Sequence, residues 1–257
     1  MFILFDLGKT KLRIAGTTDK KKFFGEQILK TPKTLEQAVD LIIKEGSQIS
    51  KTAKITGFVG GVTAVLDKSR GEKIATLLKK KTGKKAIISN DSALVGLGEA
   101  HYGAGKGFSI VQYITVSSGI GGARIVDGAI AKSHFGFEPG NQIIDWKNKI
   151  KLEDIASGTA IKKKYKKDPK EVLAPEVWRD LCEPLAVGLY NSILHWTPEV
   201  VVLGGSMITG EPAIPIRGIE QQIKKINTIL PKLPPIKKAK LDQFGGLYGA
   251  LVLLQKH

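Results

Sequence analysis

The strongest constraint on the fold is a pattern that occurs twice. Phe2–Leu7 is an apolar run, Gly8–Thr10 a glycine turn and Leu12–Gly16 a short return run. Ser109–Val116 is again an apolar run, followed by the turn Ser117–Gly122 and the return run Gly122–Val126. Apolar runs joined by glycine-containing turns read as β-hairpins. After the first hairpin, Phe23–Leu29 predicts a third strand. Thr34 then reads as the N-cap of a helix carrying Leu35, Val39, Ile42, Ile43 and Ile49 near helical spacing. Ile55–Val59 predicts a strand, Glu72–Lys81 a helix, Ala86–Ile88 a strand and Ser92–His101 a helix, giving β-β-β-α-β-α-β-α. After the second hairpin come a strand at Ala129–Lys132 and a helical stretch from Leu152 to Tyr165. A long helical pattern at Pro175–Trp196, a strand at Val200–Leu203 and a closing helix at Phe244–Leu254 follow. Two α/β domains facing each other across a cleft are therefore expected. Residues 1–105, completed by the closing helix 245–257, form the smaller one, and residues 106–244 the larger.

Composition narrows the class. With 257 residues, 42% of them apolar and 25% charged, the chain has enough apolar side chain for a real core, which excludes disordered and collagen-like classes. Cys182 is the only cysteine, so no intrachain disulfide can form and a reducing, cytoplasmic setting is expected. No apolar run approaches the ~18 residues of a membrane span. The opening MFILF meets Asp6 at once with no basic region before it, so neither a signal peptide nor a membrane partner is expected.

The net charge is +16, and because arginine stands only at positions 13, 70, 124, 179 and 217, the other 35 of the 40 basic residues are lysines. Such a balance favours polyanions. Base-edge recognition leans on arginine, however, and the lysines are scattered apart from Lys79–Lys85 and Lys162–Lys170. Nucleic acid is not the expected partner, and the excess reads as a solvated lysine-rich surface.

The turns carry candidate chemistry. In Asp6-Leu7-Gly8-Lys9-Thr10-Lys11, glycine permits a tight turn with exposed backbone N–H groups, Thr10 adds a hydroxyl, and Lys11 and Lys9 add charge. Such a hairpin can hold the terminal phosphates of a nucleotide, with Asp6 holding Mg²⁺ directly or through water. An ordinary hairpin with a solvated aspartate fits the same residues. Ser117-Ser118-Gly119-Ile120-Gly121-Gly122 has the same ingredients without a carboxylate. Neither a Walker-type loop nor a Rossmann glycine fingerprint is present. Asn90-Asp91 lies between a strand and a helix, where Asn or Asp commonly caps the helix. A carboxylate there can equally orient an attacking hydroxyl and accept its proton.

Taken in order, these motifs resemble the ROK family of sugar kinases and related repressors, which belong to the actin-like ATPase superfamily. Asp6–Lys11 resembles the first phosphate motif, Asp-x-Gly-Gly-Thr-Lys, with Lys9 in place of a glycine. Gly60-Gly61-Val62 is similar to the sugar-side turn, and Asn90-Asp91 with Gly98-Glu99-Ala100 to the Asn-Asp…Gly-Glu-Ala helix. Ser118–Gly122 resembles the second phosphate motif, and Leu152–Ala160 the Leu-Glu-x-x-Ala-Ser-Gly-x-Ala segment. Val202–Gly205 is similar to the strand-turn that packs on adenosine, and Gly246–Leu251 to the closing helix.

The resemblance implies two ribonuclease-H-like domains flanking a central cleft and an ATP- and Mg²⁺-dependent hexose kinase acting on a sugar hydroxyl, the primary one at C6. It implies Asp91 as catalytic base and Gly61, Asn90, Asp91, Glu138, Asn141 and Glu153 as sugar-binding residues. Asp6, Gly8, Lys9, Thr10, Lys11, Ser118, Gly119, Gly121, Gly204 and Gly205 would hold the nucleotide, with Asp6 toward the metal. It also implies, by analogy, a homodimer. Where the family carries Gly-Glu-Ile-Gly-His and a cysteine-rich zinc loop, this chain has Phe137-Glu138-Pro139-Gly140-Asn141 and no cysteine in Lys147–Lys151, so no zinc is expected. The chain opens at its first strand, so the helix-turn-helix of the repressor branch is not expected. Its length, missing zinc loop and basic surface also resemble polyphosphate-dependent glucokinases, which makes polyphosphate the alternative donor. A non-catalytic sugar or nucleotide sensor is the rival of a different class. Trp178 and Trp196 read as core or interface residues, Trp146 as packing its loop, and His195 as a helix-end residue.

Overall fold

The computed structural model describes residues 1–63 and 69–257. The first half runs β1 (Phe2–Leu7), β2 (Lys11–Thr17), β3 (Phe24–Lys30), α1 (Leu35–Ser50), β4 (Gly57–Val62), α2 (Ser69–Thr82), β5 (Lys85–Asn90) and α3 (Asp91–Tyr102). The second runs β6 (Ile110–Val116), β7 (Ile120–Val126), β8 (Ala129–Ile130), the short hairpin β9 (Ile143–Asp145) and β10 (Ile150–Lys151), α4 (Leu152–Ala156) and α5 (Gly158–Tyr165). It continues through α6 (Pro175–Asp180), α7 (Cys182–Trp196), β11 (Val200–Gly204), α8 (Ser206–Thr209), α9 (Ile216–Ile226), β12 (Ile236–Lys238) and α10 (Gly245–Gln255).

The two sheets have one topology. The first is ordered β3-β2-β1-β4-β5 and the second β12-β11-β6-β7-β8. In each, the first three strands form an antiparallel meander, and two later strands join the opposite edge of the first strand in parallel. Numbered within itself and leaving aside the separate β9–β10 hairpin, each sheet reads third, second, first, fourth, fifth. The sequence echo is therefore a repeat of topology.

Side-chain alternation along the strands divides the core into layers. Ile3, Phe5 and Leu7 of β1 pack outward with Val39 and Ile42 of α1 and Ile74 and Leu78 of α2. Leu4 points the other way, into a central cluster with Leu94 and Leu97 of α3 and Leu247, Ala250 and Leu251 of α10. Val111, Tyr113, Val200 and Val202 close that cluster from the second sheet. Val201 and Leu203 face outward, toward Leu185 and Leu189 of α7 and Ile219 and Ile223 of α9. Helices α3 and α10 thus lie between the sheets. They touch backbone to backbone, because a Cβ on Gly249 would stand 1.8 Å from the Leu94 carbonyl oxygen.

Several element boundaries differ from the sequence reading. The strand expected at Ile55–Val59 is β4, Gly57–Val62, and its glycines fit because the Phe5 ring covers Gly60 closely enough that a Cβ would stand 2.5 Å from it. The stretch Leu152–Tyr165 breaks at Ser157, whose extended backbone ends α4 and whose hydroxyl caps α5 by accepting from the Ala160 N–H at 3.1 Å. The pattern Pro175–Trp196 breaks at Leu181, since Pro184 has no N–H for the Asp180 carbonyl and is tolerated only in the first turn of α7. The strand at Ala129–Lys132 is only two residues long. Trp146 does not pack its loop: it is 78% exposed, and Asp145 closes the β9–β10 loop by accepting from the Lys147 and Asn148 N–H groups. Trp178 is buried with its indole N–H on the Val172 carbonyl, and Thr34 forms a capping box with Gln37. His195 lies in the last turn of α7.

Candidate active site

The first hairpin turns at Gly8, whose N–H donates to the Lys11 carbonyl at 3.0 Å. Across it, Asp6 of β1 is in register with Arg13 of β2. Cross-strand partners share a face, and Arg13 Nη1 meets Asp6 Oδ2 at 3.2 Å. Asp6 is 5% exposed, and Gly246 of α10 comes so close that a Cβ there would stand 2.7 Å from its carboxyl carbon. Burial pushes the Asp6 pKa up to about 7; the guanidinium of Arg13 pulls it back, while the nearby Asp91 adds to the rise.

Strand β5 delivers Asn90 and Asp91 to the same place. Asn90 is the N-cap of α3, its side-chain oxygen accepting from the Ala93 N–H at 3.0 Å. The capping role therefore falls to Asn90, and Asp91, the first residue of the helix, keeps its carboxylate for the cleft. That carboxylate is oriented from both sides: the Thr63 hydroxyl donates to Oδ2 at 2.6 Å and the Ser92 N–H to Oδ1 at 2.8 Å.

The second hairpin turns at Ser117, whose N–H donates to the Gly119 carbonyl at 2.9 Å. Its position depends on the segment 152–160. The Ser117 carbonyl accepts from the Gly158 N–H at 2.6 Å, and the Ser118 carbonyl from the Thr159 N–H at 3.2 Å and hydroxyl at 2.5 Å. Glu153 Oε2 accepts from the Ile120 N–H at 3.4 Å. The Leu-Glu…Ser-Gly-Thr-Ala segment is thus the support of the second turn. Glu138 precedes and Asn141 ends the one-turn helix Pro139–Asn141, with the Asn141 amide donating to Glu138 at 3.3 Å and Lys151 donating to Asn141 Oδ1 at 3.0 Å. Burial raises the Glu138 pKa; the Asn141 amide opposes the rise, and Glu153 and Asp91 add to it.

These groups line one cleft of about 1200 Å³ between the halves. Both turns, Asp6, Asn90, Asp91, Glu138, Asn141, Glu153 and Gly205 face it. Gly61 and Gly204 are not among its lining residues. Gly61 instead lets α3 start against β4, since a Cβ there would stand 3.0 Å from the Asp91 Cα; Gly204 lies under the buried Tyr113 hydroxyl. Gly205, with φ of +87°, fits beneath the Val116 carbonyl where no side chain could. The sequence reading missed Arg13, Thr63, Thr115, Lys149 and Lys163 as cleft residues. Arg13 was hidden by the turn length: a symmetric turn at Gly8–Thr10 would pair Asp6 with Leu12, whereas the observed register sets Leu7 against Leu12 and Asp6 against Arg13.

Two carboxylates within electrostatic reach, Asp6 and Asp91, suit Mg²⁺, which takes one or two carboxylates together with substrate phosphate oxygens. Among the described residues, no cluster of three or more His, Cys, Asp or Glu side chains is arranged to hold a metal ion.

The model of the ROK family matches residues 3–257. The chain belongs to the ROK family. Over 98% of this chain and 99% of the relative, it is 23% identical to an N-acetyl-D-glucosamine kinase of Haemophilus influenzae. Among solved ROK structures, a hexokinase from Thermus thermophilus superposes with a TM-score of 0.82 at 22% identity, covering 99% of this chain and 98% of that one. A ROK glucokinase from Streptomyces griseus, solved with glucose and AMPPNP, gives a TM-score of 0.82 at 20% identity over 100% and 99% of the two chains. The fold is the actin-like ATPase fold of these ROK proteins. No helix among the described residues is long and apolar enough to cross a membrane.

Proposed function

We propose that this ROK protein is an ATP-dependent hexose kinase that phosphorylates a sugar hydroxyl, the primary one at C6, with Asp91 as catalytic base. One observation carries the reading: an oriented aspartate stands in a single cleft with two glycine- and hydroxyl-bearing turns. The turns Gly8–Thr10 and Ser118–Gly121 offer backbone N–H groups and hydroxyls to the donor's phosphates, and Lys9 and Lys11 add positive charge. Asn90, Glu138, Asn141 and Glu153 supply donors and acceptors for sugar hydroxyls. Thr63 and Ser92 hold the Asp91 carboxylate, leaving it to orient the attacking hydroxyl and take its proton. Mg²⁺, when bound at Asp6, would neutralise charge on the transferring phosphoryl group. The transition state of such a transfer is loose, so positioning and charge stabilisation outweigh base strength. Closure of the halves, residues 1–105 with 245–257 on one side and 106–244 on the other, would exclude water as a competing acceptor.

The lysines favour a second donor. Lys9, Lys11, Lys149 and Lys163 all line the cleft, and point charges on flexible stems suit an extended polyphosphate. A phosphorylation panel tests both readings: glucose, mannose, fructose, N-acetylglucosamine and N-acetylmannosamine, each with Mg-ATP and with polyphosphate, beside Asp91→Asn. Turnover that disappears in the variant supports the kinase and names both substrates. Sugar binding by calorimetry without turnover from either donor refutes it and leaves a sensor.

A further inference from the structure

Arg13 is the arginine among the described cleft residues, and neither the family pattern nor the mechanism above uses it. It stands on the same face as Asp6, on the neighbouring strand, at the mouth of the first hairpin. Among the described residues its one hydrogen bond is the 3.2 Å contact from Nη1 to Asp6, and its Nε is buried with no partner. A guanidinium carries five N–H donors, and a buried donor left unmade is costly. The buried Nε therefore lacks an acceptor, while the rest of the partly exposed guanidinium is open to one. Its place is given by the turn: Nη1 lies 3.8 Å from where a Cβ on Gly8 would stand, beside the backbone that faces the donor's phosphates. Phosphate matches a guanidinium through paired N–H···O contacts, which the ammonium groups of Lys9 and Lys11 cannot form.

We propose that Arg13 is a phosphate-binding residue of the donor site, held on Asp6 in the donor-free protein and passed to the donor's terminal phosphates when a divalent cation takes Asp6. The proposal rests on the donor half of the kinase reading. Its physical basis is competition for one buried anion. Asp6 has Arg13 as its cation partner, and a metal ion arriving at the same carboxylate displaces the guanidinium. The nearest replacement anion for Arg13 is then the phosphate entering the Gly8–Thr10 turn. Asp6 engages only Nη1, so the remaining N–H groups of Arg13 already meet a phosphate chain without metal and the cation completes the transfer; Arg13 also weakens cation binding at Asp6 when no phosphate is present.

The test is calorimetric titration of the full chain with inorganic triphosphate in a metal chelator, for wild type, Arg13→Gln and Arg13→Lys. Mn²⁺ binding without phosphate is followed in parallel by electron paramagnetic resonance. Arg13→Gln is expected to weaken metal-free triphosphate binding at least ~10-fold, the loss of a charged hydrogen-bonded contact, and to tighten Mn²⁺ binding. Arg13→Lys keeps the charge without the fork and is expected to lose roughly 3-fold. Triphosphate affinity unchanged in Arg13→Gln overturns the proposal, as does a wild type that binds no triphosphate without metal. Should Arg13→Gln fail to fold by circular dichroism, Arg13→Lys decides alone, with unchanged affinity again overturning it. Triphosphate held through Arg13 in a protein that phosphorylates no sugar would keep this inference and refute the kinase reading.

Discussion

The hairpins that open the two sheets share a topology and differ in chemistry. One residue before the end of β1 stands Asp6, with Arg13 opposite; one residue before the end of β6 stands Thr115, with Gly121 opposite. The first turn is charged, with Lys9 inside it and Lys11 at its exit. Between Thr115 and Gly122 the second has no charged side chain at all. The second turn takes its support from elsewhere, through the N–H groups at the start of α5 that bind the Ser117 and Ser118 carbonyls. One backbone scaffold thus places charge at one sheet and neutral donors at the other. The two turns should answer to different perturbations.

The contrast disappears at Asp91, on which both turns would converge if the cleft transfers a phosphoryl group. Asp91→Asn keeps the shape of the helix start and removes the proton acceptor. Turnover is expected to fall by about 10²–10⁴-fold, the usual contribution of a positioned general base, with the melting temperature little changed. Rates within a few-fold of wild type in a stopped assay would take Asp91 out of that role. The turns themselves separate at the next level. Lys11→Ala is expected to raise the KM for the donor about 10-fold and to flatten its dependence on ionic strength, since Lys11 is exposed and exposed charges are screened. Ser118→Ala should change the same KM by only about 2-fold, because that turn works through its backbone. Equal effects in the two variants would mean that the turns are not specialised.

Much of this contrast was legible in the sequence. Turn, hydroxyl and lysine positions followed from glycine placement, and Asn90-Asp91 followed from the strand-to-helix junction. What stayed hidden was long-range. Ser157-Gly158 is a local cap-and-turn signal that the helical reading of 152–165 passes over; what fixes the break is long-range, since Gly158 and Thr159 turn toward a hairpin some forty residues earlier. Gly60 and Gly61 disfavour a strand by propensity, and tertiary contact with Phe5 and Asp91 reverses that. The helix α9 escaped although Ile216, Ile219, Ile223 and Ile226 have helical spacing, a pattern obscured by the neighbouring prolines and lysines. Gly204 and Gly205 look equivalent in sequence, and only the end of β11 makes one of them packing and the other cleft wall.

The support of the second turn can be loosened without touching the first. Ser157→Ala removes the α5 cap and is expected to cost about 1 kcal/mol of stability, read from denaturant midpoints at constant slope. Because the capped residues also hold Ser117 and Ser118, its donor KM should rise by about 2- to 3-fold while the salt dependence set by the first turn stays. A salt dependence altered as much as in Lys11→Ala would show that the turns are coupled.

The smallest expected effect isolates the one buried carboxylate of the first hairpin. Burial raises the Asp6 pKa to about 7 in the folded protein, against an ordinary value of 3.8. The folded chain therefore holds this proton more tightly than the unfolded chain, so stability is greatest below the unfolded value and declines as pH rises to about 7. Asp19 and Asp145, whose pKa values are lowered by hydrogen bonds from nearby N–H groups, act in the opposite direction and at lower pH. They are unchanged in an Asp6 variant. Between pH 5 and pH 8, without donor or metal, the melting temperature should fall further in wild type than in Asp6→Asn, by a few degrees for a chain of this size. Thr115→Val, the matching change at the uncharged hairpin, should leave the wild-type slope in place. Glu138, which burial also raises, contributes in the same direction in both proteins, so a slope in Asp6→Asn as steep as that of wild type would place the titrating group elsewhere and remove burial of charge as the feature that distinguishes the first hairpin from the second.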